Sequence, residues 1–124
     1  MDAAAKALLL EALKREDEVQ AAQAPQHFGG HFRERVRLAG LRLRLGDQLE
    51  HGPHWSSVDW LKAYTPAERM AAGRLLKRLE AAGLVVVRRL GGQASNVKLT
   101  PFGRETAEAL RLEAAEAAKE SDGA

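Results

Sequence analysis

Between Pro66 and Arg104 the chain carries eight fixed positive charges and two negative ones. The cations are Arg69, Arg74, Lys77, Arg78, Arg88, Arg89, Lys98 and Arg104; the anions are Glu68 and Glu80. Guanidinium and ammonium groups at this density do not make or break bonds. They grip oxyanions, Arg through paired donors that match a phosphate or the O6/N7 edge of guanine, Lys as a compact charge. The whole chain has a formal net charge of only +2 because its acids collect elsewhere. Glu11, Glu16, Asp17 and Glu18 lie near the start, and Glu105, Glu108, Glu113, Glu116, Glu120 and Asp122 near the end. A basic middle on acidic flanks points to a surface for a polyanion.

Other chemistries find little support. The absence of cysteine excludes a disulfide scaffold, a thiol nucleophile and a thiolate zinc site, and it fits a reducing cytoplasm. His27-x-x-x-His31 and His51-x-x-His54 have metal-compatible spacing, but both pairs fall in glycine- or proline-containing loops without a motif carboxylate. Gly29-Gly30 and Gly91-Gly92 lack the strand-to-helix context of a nucleotide loop, and no paired-carboxylate or nucleophile pattern is present. No enzyme activity, catalytic residue, metal or cofactor is therefore expected. Nor is a membrane span or a secretory signal, since no apolar run is long enough and the first residues are heavily charged.

A length of 124 residues, 45% hydrophobic and 29% charged, allows one small soluble domain with helical extensions. The pattern predicts a mainly α chain with a small β-hairpin. Residues 1–22 read as an N-terminal helix with Ala5, Leu8, Leu9, Ala12, Leu13 and Val19 on one face. Residues 23–31, with Pro25 and Gly29-Gly30, read as a linker. The stretch from Phe32 to Leu49 is ambiguous, because Leu41–Leu45 alternates like a strand. Leu38, Leu41, Leu45 and Leu49 recur at helical spacing, however, and length favours a helix. Trp55 is placed in a short extended piece. Ser56 caps a short helix through Val58, Trp60, Leu61 and Tyr64, whose aromatics are expected to pack inward.

The strongest helix signal is Thr65-Pro66-Ala67-Glu68, an N-cap, a first-position proline and a capping box. That helix is expected to span 66–82 and to stop at a left-handed Gly83. Its buried stripe is expected to be Ala72, Leu75, Leu76 and Leu79 with Met70 or Ala71. Arg69, Gly73 and Lys77 stand at i, i+4 and i+8 on the other side, flanked by Arg74 and Arg78. Val85–Leu90 and Asn96–Leu99 are expected to pair as a hairpin around a tip at 91–95. Thr100-Pro101 then opens a last helix through Ala118, before a frayed tail at 120–124.

Two phrases flanking this hairpin resemble a known family. Leu79-Glu80-Ala81-Ala82-Gly83-Leu84-Val85 and Leu99-Thr100-Pro101-Phe102-Gly103-Arg104 are similar to phrases that bound the wing of MarR-type transcription regulators. The resemblance covers roughly Val58 to Arg104 and implies a winged helix-turn-helix, assigned here to residues 32–104, with helix and tail at 105–124.

The expected function is sequence-specific binding of double-stranded DNA by a cytoplasmic bacterial transcription regulator. Helix 66–82 would lie in the major groove and the wing, 85–99, on the backbone or minor groove. Arg69 and Arg74 are the expected base readers, with Lys77 and Arg78 shared between bases and phosphates. Gly73 would allow close backbone approach to DNA, or else pack on a neighbouring helix. Of Arg88 and Arg89, which alternate across the strand, one is expected to face DNA. Gln93, Ser95, Asn96 and Lys98 would reach phosphate or the minor groove. A homodimer through the terminal helices is expected, using the Ala5–Val19 stripe and Phe102, Ala109, Leu110 and Ala117, unless those faces pack within one subunit. The alternatives are a winged-helix protein-interaction or assembly module, and the DNA-binding part of a plasmid or phage replication or partition system.

Overall fold

The computed structural model describes residues 1–22 and 32–122. The chain is mainly α with one small antiparallel hairpin. In order come α1 (Ala3–Ala21), α2 (Phe32–His51), α3 (Ser57–Leu61), α4 (Pro66–Ala81), β1 (Val85–Leu90), β2 (Gln93–Leu99) and α5 (Pro101–Asp122). The segment 32–51 is thus a helix, and the strand-like alternation at 41–45 is overridden by helix propensity over its length. The linker expected at 23–31, with His27 and His31, lies outside the described residues. So do the last two tail residues; α5 continues to Asp122, past the stop expected at Ala118.

Local signals act as the sequence predicts at the helix starts. Ser56 accepts from the Asp59 N–H at 3.2 Å. Thr65 accepts from the Glu68 N–H at 3.1 Å while the Glu68 carboxylate accepts from the Thr65 N–H at 3.2 Å, closing the capping box. At the other end Gly83 takes a left-handed φ of 76°. The hairpin tip differs from the expectation of a five-residue loop at 91–95. Gly91 and Gly92, with φ of 59° and 80°, alone make the turn, because two residues of positive φ match the twist of the flanking strands. Residues 93–95 join the ladder instead, and the register shift between Arg88 and Arg89 leaves Ser95 as the extra residue of a bulge.

Residues 53–55 lie along the free edge of β2. Val97 donates to the Pro53 carbonyl at 3.1 Å and Trp55 to that of Ser95 at 2.9 Å, with His54 bridged to Asn96. Gly52, at φ 97°, has to be glycine: a Cβ there would run into the Val97 carbonyl. Gly103 is equally constrained, against the Leu84 carbonyl.

A single core joins these parts. Leu8, Leu9 and Leu13 of α1 are fully buried with Trp60, Leu75, Leu76, Leu79, Leu84, Val85, Val97, Leu99 and Ala107. Burying each such leucine contributes about 1.5–3 kcal/mol. The Ala5–Leu13 stripe is therefore occupied within the subunit and is not an open dimer face. Trp60 meets Trp55 edge-to-face at 5.1 Å, and the Arg15 guanidinium lies 5.3 Å over its ring. Tyr64 departs from the expected inward packing. It falls beyond the end of α3 and is 66% exposed. No described helix is long and apolar enough to cross a membrane.

Candidate nucleic-acid interface

The outer side of α4 is exposed from Pro66 to Ala71 and again at Gly73, Arg74, Lys77 and Arg78, while Ala72, Leu75, Leu76 and Leu79 are buried. Spacing of i, i+4 and i+7 places Met70, Arg74 and Lys77 on one face opposite the leucines. Met70 is 65% exposed and Ala71 is exposed as well, so neither extends the buried stripe as expected. The four core positions already fill the contact with α1, α3 and β1, and Met70 lies on the opposite face of the helix. Met70 is the residue that periodicity missed. An unbranched apolar side chain between cations is a contact for thymine methyls as much as for a core.

The cations of the basic segment divide into three groups. Arg74 has no ion pair or side-chain hydrogen bond among the described residues. Lys77 acts only through space, lowering the Glu80 pKa along with Arg89. Arg69 stands nearer the turn before α4, where its guanidinium donates to the Tyr64 carbonyl at 2.8 Å. These three, with Gly73, are aligned on a surface. A Cβ at Gly73 would meet no described atom outside its own helix within 4 Å, so among the described residues this glycine packs on no neighbouring helix.

A second group is held by exposed carboxylates. Arg78 pairs with Asp2 at 3.2 Å, both side chains more than half exposed, and such pairs are weak enough to exchange for a phosphate. Arg89 donates twice to Glu80, at 3.0 Å each, which raises the Arg89 pKa and lowers that of Glu80. This fork ties the hairpin to α4.

The third group is committed to the fold. Arg88 donates to Asp47 of α2 at 2.6 Å. Both hairpin arginines are paired: alternation sends Arg88 toward Asp47 of α2 and Arg89 toward Glu80 of α4, and of the two only Arg89 lies on the α4 side. Asn96 is 1% exposed, and its amide donates to the Gly52 carbonyl at 2.8 Å and to Asp47 at 3.3 Å. It therefore cannot reach DNA as expected, because the bulge turns it into the α2 junction. The Ser95 hydroxyl is likewise turned inward, 2.8 Å from the Asn96 Oδ1 and 3.2 Å from the Arg88 carbonyl. Lys98 is exposed but reaches the Glu50 carbonyl at the end of α2, away from α4. Arg104, the last cation of the segment, is bound by Glu16, Asp17 and Glu108 at 3.1–3.4 Å.

Of the hairpin residues, Gln93 at the tip remains beside α4. Together with Gly92 it forms one wall of an open notch of about 420 Å³, with Gly73 and Lys77 on the other wall and Ser57 at its end. His51 and His54 lie 3.7 Å from Glu50 and Asp47 respectively, and no group of three metal-ligating side chains gathers among the described residues. Comparison of the chain with protein-family models, curated proteins and solved structures finds no match.

Proposed function

We propose that this chain is a sequence-specific double-stranded DNA-binding protein, with the outer face of α4 in the major groove and the hairpin tip against the sugar–phosphate backbone. The observation that carries the reading is the exposed row of Met70, Arg74 and Lys77 on a helix that is capped, leucine-packed and braced to the hairpin through Glu80 and Arg89. A helix of 16 residues, presenting fixed cations without a carboxylate ion pair among the described residues beside an apolar contact, has the dimensions and chemistry for groove readout. The order α3, α4, hairpin also follows the two phrases that resemble MarR-type regulators. In each, the glycine has a structural reason: Gly83 ends α4, and Gly103 admits the Leu84 carbonyl.

Transcription regulation as a homodimer is the accompanying role. With α1 and the inner face of α5, including Ala107 and Leu110, packed in the core, the dimer surface falls to the outer side of α5, where Phe102 and Leu112 are 58% and 65% exposed. Two copies would set two α4 helices on half-sites about 34–36 Å apart.

Replacing Arg74 and Lys77 together by Glu should weaken duplex binding by at least about a hundredfold, since two attractive contacts become repulsive. The circular dichroism spectrum should be unchanged, because both side chains are exposed. Binding that survives the double reversal would remove α4 from the interface.

A further inference from the structure

We propose that the notch between α4 and the hairpin tip seats one phosphodiester of the DNA backbone, and that Glu80 restrains Arg89 from joining it. The inference rests on the DNA-binding reading and makes it specific. Three observations converge on the notch. Its two walls bring cations from opposite sides, Lys77 from α4 and Arg89 from β1, with Gln93 and Ser57 among its lining as residues able to donate and Trp55 and Leu76 as its apolar floor. That donor set fits a singly charged, tetrahedral oxyanion. The notch is also open and continuous with the groove face, since Lys77 belongs to both. A strand whose bases meet Arg74 would therefore pass it.

The second observation is Gly73. Glycine weakens a helix interior, and here no described atom beyond its own stretch of helix lies within 4 Å of where its Cβ would stand. The fold has no use for the missing side chain, whereas a strand lying against the α4 backbone does. Gly92 thins the facing wall in the same way, at a φ of 80° that its turn also requires.

The third observation is the Glu80 fork. Both of its carboxylate oxygens accept from Arg89, and Lys77 acts on it through space. Arg89 thereby stands at the notch with its charge answered from behind. In the bound complex Lys77 neutralises the phosphate, and Arg89 stays on Glu80. Removing the Glu80 charge should release Arg89 to make a second contact, so this carboxylate lowers affinity in the native protein.

The test is the salt dependence of binding to a mixed-sequence DNA duplex of about three helical turns. Each phosphate neutralised changes the slope of log Kobs against log salt by about 0.9. Lys77→Gln should make the slope shallower by about that amount. Glu80→Gln should steepen it by about as much and tighten binding, and should do neither in an Arg89→Gln background. Gly73→Ala should raise Tm by a few degrees, about 4–8 °C at most, while weakening duplex binding several-fold. The notch assignment is overturned if Lys77→Gln leaves the slope unchanged, if Glu80→Gln acts equally without Arg89, or if Gly73→Ala binds like wild type. In that case a steep wild-type slope, abolished by Arg74→Glu, would leave the groove reading standing. A flat wild-type salt response would remove both.

Discussion

Met70 and Asn96 have exchanged the places that their residue types suggest, the apolar side chain lying outside and the amide inside. If Met70 reads a thymine methyl, replacing thymine by uracil in a selected binding site should lower affinity for the wild-type chain. It should leave a Met70→Ala variant indifferent, and equal losses in both would remove Met70 from readout. Asn96 donates to the Gly52 carbonyl and Asp47 from a fully buried position. Asn96→Ala would leave that carbonyl without its partner, so urea denaturation should show a loss of about 1–3 kcal/mol. Neither role was legible in the sequence. The apolar side chain of Met70 suggests the leucine stripe although its spacing sets it on the opposite face, and the inward turn of Asn96 depends on a bulge at Ser95 that alternation does not reveal. The partners of Arg88 and Asn96 also come from α2, more than 40 residues away. What the sequence did disclose was the outward row at Arg74 and Lys77, because local helical spacing alone determines it.

At the scale of elements, caps and turns were the most legible features, since each is built from neighbours in the chain. Thr65→Ala should cost about 1 kcal/mol by breaking the capping box at the start of α4, measurable as a lower denaturation midpoint. Gly103→Ala should be far more harmful, because its Cβ would stand inside the Leu84 carbonyl and force β1 away from α5. A Tm within a degree or so of wild type would contradict that packing. The hairpin was legible as a pair of strands but not in the length of its tip. Gly91-Gly92 can end a strand in two residues or begin a longer loop, and only the ladder decides between them. For α2, strand-like alternation and helical spacing competed over the same leucines, and length was the better guide.

Over the whole molecule, ion pairs turn a basic sequence segment into a partly neutral surface. Asp2, Asp17, Asp47 and Glu80 all have pKa values lowered, first by hydrogen bonding (Asp2 to the Ala5 N–H, the others to arginines). Such groups stabilise the fold above their unfolded pKa values of 3.8–4.5, and that contribution is lost as pH falls through the lower folded values. Glu16 acts oppositely. Burial raises its pKa from 4.5, so its contribution is present in acid and is lost as pH rises through the raised value. With four groups against one, Tm should fall on acidification below about pH 4. A Tm that rises there would contradict these pairs. The proposed dimer belongs to the same scale. If the chain dimerises through α5 as proposed, the wild type should sediment as a dimer and Phe102→Glu with Leu112→Glu as a folded monomer, and sites selected from random duplexes should be palindromic.

The outer face of α4 and the hairpin tip are the surfaces proposed to touch DNA. Titrating a mixed-sequence duplex into isotope-labelled protein and following the backbone amides by NMR tests that proposal most directly. The largest shifts should fall at Met70, Gly73, Arg74 and Lys77 and at Gly92 and Gln93, and should fade as salt is raised. No shifts at low salt, or shifts gathered on α1 and α5 instead, would contradict it.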